Sequence, residues 1–161
     1  MTLHDSVWLF QALHAAGLAV WLLIAVINNV QAFAGSMHAV GLSMSMAALQ
    51  EAPAIDTPLL KRAMGSTTRH RMALALVLVL QIAAAGAGLV GSYEMIFAGG
   101  LTAARPWLNL ALTSFTAFIL AMHLGGMWFA YWIRQEGLQL THISLLLWTL
   151  AAFILFNTSW A

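Results

Sequence analysis

Few side chains in this sequence stand where chemistry needs explaining. His123 lies within a long apolar run, with Met127 four residues on, a spacing that sets both on one face of a helix. Gln81, Asn28 and Asn29 are the other strongly polar groups in apolar surroundings. An imidazole can ligate a metal or haem iron, hydrogen-bond a quinone carbonyl, or carry a proton. His123, Gln81, Asn28 and Asn29 therefore form a candidate cofactor-binding set. A thioether suits Cu(I), so His123, Met127 and His38, the last in the Met-rich stretch Met37-His38 … Met44-Ser45-Met46, form a candidate copper set. Haem b needs a second axial ligand at matching depth. His14 falls in the opposite half of the first apolar run, and His70 and His142 fall at the mouths of theirs. In the simplest reading, His123 bonds to Gln81, an Asn or a backbone carbonyl and holds helices together.

Other chemistries lack their parts. There is no cysteine, hence no disulfide, thiolate metal site or Cys nucleophile. No Asp or Glu lies inside an apolar run to orient a histidine for hydrolysis or to carry coupled protons in transport. Catalytic activity of its own is not expected, and no cofactor is the leading expectation; haem b, copper or quinone are the alternatives.

The elements that must position these groups are membrane spans. Hydrophobic residues make up 62% of the 161 and charged ones 7%, where a soluble domain has roughly 25% charged. So few charges cannot cover a soluble surface, and the excess apolar residues must face lipid. Four stretches, 7–34, 72–92, 107–133 and 138–160, hold no Asp, Glu, Lys or Arg and reach the roughly 20 residues that a spanning helix requires. The alternating segments of a spanning β-barrel are absent. Residues 1–6 contain no Lys or Arg, and the apolar run after them is too long for a signal peptide; it reads as a retained span. The expectation is an all-α integral membrane four-helix bundle, a single transmembrane domain over 1–161 with a long, partly helical first loop.

Connections differ in length. Arg134-Gln135-Glu136-Gly137 makes a tight turn, so spans three and four pack antiparallel. About a dozen residues with Gly99, Gly100 and Pro106 are expected between spans two and three. In the first loop, residues 37–50 could lie along the interface, Thr57-Pro58 is a helix start, and Ser66 or Thr67 can cap span two. Gly125-Gly126 is the one candidate break inside a span. On these bounds His123 lies about 15 Å below the first-loop end of span three, and Gln81 lies at similar depth in span two. Ala83-Ala84-Ala85-Gly86-Ala87-Gly88 is a seam of small residues that permits close helix approach, inside the bundle or toward another subunit. Trp8, Trp107 and Trp160 mark one interfacial belt and Trp128, Tyr131 and Trp132 the other. Lys61, Arg62, Arg69, Arg71 and Arg134 against Arg105 alone would place the first and third loops in the cytoplasm. A net charge of +1 gives no reason to expect nucleic acid; the partners expected are the lipid bilayer and other membrane subunits.

Asn28-Asn29, Arg62-Ala63-Met64 … Ser66 … His70, and Gly125-Gly126-Met127-Trp128-Phe129 … Trp132 together resemble the bacterial small integral membrane proteins of domain-of-unknown-function family 2165. The resemblance implies a four-helix inner-membrane architecture and no particular activity. It also implies Glu at the positions of Gln81 and Met127, a small apolar residue at that of His123, and basic residues in the second loop, which would invert the charge-based orientation. The leading functional expectation is an accessory or anchoring subunit of a larger membrane complex, a respiratory one among the candidates. A haem, copper or quinone site near His123 is the alternative, and a small transporter or channel a further one.

Overall fold

A computed structural model describes residues 1–160. Six α-helices run in order: α1 Leu3–Gln31, α2 Phe33–Met44, α3 Ala47–Gln50, α4 Thr67–Phe97, α5 Gly100–Trp128 and α6 Glu136–Asn157. Short 3-10 helices occupy Pro58–Arg62 and Tyr131–Ile133. Among the described residues there is no strand. Helices α1, α4, α5 and α6 are each long and apolar enough to cross a membrane, so the chain is an all-helical integral membrane bundle.

Local sequence explains the helix ends. Thr2 and Asp5 cap α1 reciprocally: the Asp5 N–H donates to Thr2 Oγ1 at 3.1 Å, and the Thr2 N–H to Asp5 Oδ2 at 2.9 Å. Thr57 caps the Pro58–Arg62 turn by accepting from the Leu59 N–H at 3.4 Å, as its position before a proline suggests. Ser66 stands at the N-cap of α4, yet its side chain makes no capping bond.

The helices extend beyond the apolar runs. α4 continues to Phe97 and α5 already begins at Gly100, so the expected dozen-residue connection is a two-residue turn, Ala98-Gly99. Tyr93, Glu94, Thr102 and Arg105 are polar but tolerate helix, and Pro106 is accommodated within α5, where its missing N–H forfeits one backbone bond. Gly100 has φ +67, the left-handed conformation that glycine adopts without steric cost. At the other end α5 stops at Trp128 rather than Ile133.

Packing is sequential: α1 against α4, α4 against α5, and α5 against α6. The core includes Leu18, Leu22, Leu108, Phe115, Phe118, Ile119 and Phe156. The small-residue seam faces inward. A Cβ on Gly88 would lie 3.4 Å from Ala19 of α1, and one on Gly91 only 2.8 Å from Leu108 of α5, while Ala83 and Gly86 face outward. Trp21 and Trp148 find partners inside the bundle, with ring centroids 5.4 Å apart and each close to Phe115. Polar ties add to this ring contact between α1 and α6: Gln11 Nε2 donates to the Leu155 carbonyl at 2.9 Å, and Trp148 Nε1 to His14 Nε2 at 3.1 Å.

The first loop forms a roof over one end of the bundle. α2 packs against α4, and Met46 and Leu49 join Phe129 and Ala130 in a second apolar cluster. The Arg134 guanidinium donates to the carbonyls of Ala48 and Glu51, both at 3.2 Å, and of Pro53. Arg62 stacks 4.5 Å over the Trp128 ring and donates to the Trp128 carbonyl at 3.4 Å.

Candidate functional site

Two polar clusters lie beneath this roof. The first ties α1, α2 and α4. Asn29 Nδ2 donates to Gln81 Oε1 at 2.8 Å, and Ser36 Oγ to Asn29 Oδ1 at 2.9 Å. Gln81 is buried, and the amide of Asn29 supplies the partner that a buried carbonyl oxygen requires.

The second cluster is built around Tyr131. Its hydroxyl lies 2.7 Å from His123 Nδ1 and 3.3 Å from His142 Nδ1. His142 is 5% exposed and Tyr131 3%, so this is an interior cluster. Three segments supply it: α5 carries His123, the 3-10 turn Tyr131, and α6 His142. Ala130 makes the geometry possible. Its φ of 55 is left-handed, at a cost of roughly 1–2 kcal/mol for a residue with a Cβ, and it folds the chain back so that Tyr131 packs under α5. Gly126 provides the room: a Cβ there would come within 2.7 Å of the Tyr131 ring. Gly125-Gly126 is thus no break in the span, since α5 runs unbroken through it to Trp128.

The histidines differ from the sequence expectation in depth and partner. With α5 ending at Trp128, His123 is five residues from the helix end, about 7.5 Å. Gln81 is fourteen residues into α4, about 21 Å. The two do not meet. His123 bonds to Tyr131, which read as an interfacial belt residue, and lies 6.2 Å, centroid to centroid, from His142. A hydroxyl stands between these imidazoles, where a porphyrin would need its iron. The local signal for Tyr131 was the small pair Gly125-Gly126 before a phenol, which is weak without the unexpected turn at Ala130.

The other candidates stay apart. Asn28 and His38 are exposed. Met127 is exposed too, and its sulfur lies 3.8 Å from Gln139 Nε2, so neither it nor His38 joins His123. Among the described residues, no three His, Cys, Asp or Glu side chains group as metal ligands. His70 Nε2 lies 2.7 Å from the Met64 carbonyl, and only a glycine fits at position 41, where a Cβ would approach His70 Nδ1 to 2.7 Å. A cavity of about 10 Å³ separates Tyr131 from the roof residues Met46 and Leu49, room for one water and too small for a quinone ring.

The larger opening lies elsewhere. A groove of about 480 Å³ runs between α5 and α6, with Leu112, Thr113, Thr116 and Ala117 on one side and Leu146, Thr149, Leu150 and Phe153 on the other. α6 is the least covered by its neighbours of the four long helices.

No curated protein and no solved structure matches this sequence. Residues 7–159 match a family described as a predicted small integral membrane protein, DUF2165. That match takes in all four long apolar helices and the roofing loop, and the chain belongs to this family of small integral membrane proteins.

Proposed function

We propose that the chain is a non-catalytic accessory or anchoring subunit of a larger complex in the bacterial cytoplasmic membrane, a respiratory assembly among the candidates, and that it receives a partner helix in the α5–α6 groove. The groove is the observation that carries this reading. Apolar side chains give helices no reason to associate in lipid; close approach over small residues and interhelical hydrogen bonds do. Thr113 and Ala117, four residues apart on α5, are small and line the groove with Thr116. In an otherwise apolar lining, these residues offer a partner helix a close approach at Thr113 and Ala117 and hydroxyls at Thr113 and Thr116 to bond. The helical rather than barrel build suits the cytoplasmic membrane.

Mild solubilisation from native membranes followed by size-exclusion chromatography tests the proposal. The expected result is co-elution with a partner subunit, lost when Thr113→Leu and Ala117→Leu fill the groove while helicity is unchanged. A native chain that elutes as a bare monomer counts against the subunit reading.

A further inference from the structure

We propose that the helix received in the α5–α6 groove carries an aspartate or glutamate near its membrane boundary, and that this carboxylate pairs with Arg105. The inference rests on the reading of the groove as a helix seat and names what that helix must present. Arg105 and Asn109 continue the groove-lining face of α5, since steps of three or four residues lead from Arg105 through Asn109 to Leu112, Thr113 and Thr116. On the opposite wall Asn157 lies one turn beyond Phe153. The groove therefore runs up to a polar bridge between its walls. Asn109 Nδ2 donates to Asn157 Oδ1 at 2.9 Å, and Asn157 Nδ2 to Asn109 Oδ1 at 2.8 Å. One turn further, Arg105 Nε donates to the Phe156 carbonyl at 2.8 Å.

That bond caps one carbonyl at the end of α6 and leaves the rest of the guanidinium unused. Arginine has five N–H donors, and among the described residues the other four have no protein partner. Its charge is uncompensated as well. Arg105 is the one Lys or Arg at this end of the bundle. Of the acids at the same end, Glu94 does not pair with it, and the Asp5 carboxylate accepts from the Thr2 N–H instead. With Nε tied to the α6 backbone, the guanidinium is held between the two walls rather than free to stretch toward water. A cation fixed at the edge of lipid calls for an anionic partner, and a carboxylate matches the planar fork with two parallel hydrogen bonds. Thr113 lies two turns deeper, about 12 Å. The partner helix thus carries its acid about two turns from the residue that packs on Thr113.

Co-purification from native membranes tests this, with a photo-cross-linker on Thr113→Cys, unique in a chain without cysteine, marking the helix seated in the groove for identification by mass spectrometry. Arg105→Gln keeps an amide donor for the Phe156 carbonyl and removes the charge. It should lower recovery of the partner at least tenfold with helicity unchanged. Changing the acid on the marked helix to its amide should give the same loss with this chain intact, which decides the matter even if the Arg105 variant fails to fold. The two changes together should cost no more than either alone, as one pair requires. Additive losses, or a marked helix with no Asp or Glu near its boundary, overturn the proposal. So does full recovery with Arg105→Gln when Thr113→Leu and Ala117→Leu abolish it, a result that leaves the groove reading standing. Loss of a bound anionic phospholipid from Arg105→Gln in native mass spectrometry, with the partner retained, overturns it in favour of a lipid phosphate. If neither set of changes alters recovery, the groove reading fails and the carboxylate with it.

Discussion

At the residue scale, Tyr131 carries more than its position suggests. Its hydroxyl satisfies two histidines from two helices, so replacing it leaves the buried His142 and the half-buried His123 each short of a partner. Tyr131→Phe should lower unfolding free energy by about 1–3 kcal/mol, measured by denaturant titration in detergent micelles, while His123→Ala alone should cost less because His123 is only half-buried. Gly126→Ala should perturb the same cluster from the opposite side, by forcing the ring away; a changed tyrosine near-ultraviolet dichroism with unchanged helicity would report it. His123 was legible from sequence as an oddity in an apolar run. Its partner was not. Alanine gives no warning of a left-handed turn, since the conformation belongs chiefly to Gly, Asn and Asp, and a helix drawn straight through Ala130 carries Tyr131 out to the interface.

At the element scale, the glycines of α4 divide by the face they occupy. Gly91 presses against Leu108, whereas nothing lies within 4 Å of a Cβ placed on Gly86. Gly91→Ala should destabilise the bundle by about 1–3 kcal/mol through overpacking, and Gly86→Ala should stabilise it by about 0.5–1 kcal/mol through helix propensity. Opposite shifts in thermal midpoint check the pair. The four spans were readable because length and apolarity suffice to find them. Their ends were not, because Gly99, Gly100 and Pro106 signal a loop when read singly. In the fold, Gly100 supplies one positive φ at the start of α5 and Pro106 is absorbed within it. Helix rotation was also beyond reach of the pattern: lipid-facing and core-facing positions are both apolar, so whether Gln81 met His123 or Asn29 depended on packing alone.

At the scale of the whole molecule, the bundle is asymmetric between its ends and around its girth. One end is roofed by the first loop, which Arg134 and Arg62 fasten to the α5–α6 turn and to Trp128. Arg134→Ala should release that roof without undoing the spans: hydrogen exchange should rise across residues 47–56 and stay slow in α4 and α5. Several residues on which the family resemblance rests, Arg62, Met64, Trp128 and Phe129, sit in or against this roof. The opposite end holds both chain termini and the turn Ala98-Gly99. That two-residue turn has a consequence for biosynthesis. Helices α4 and α5 are too closely joined for one to settle in the bilayer while the other waits outside, so they must enter as a single hairpin, delivering Glu94 and Arg105 across together. Helix α6, tied to it by the 129–135 segment and the least covered by the other helices, is then the last piece to dock, and a chain ending at residue 135, once released from the ribosome, should already form a membrane-integrated, protease-protected three-span core.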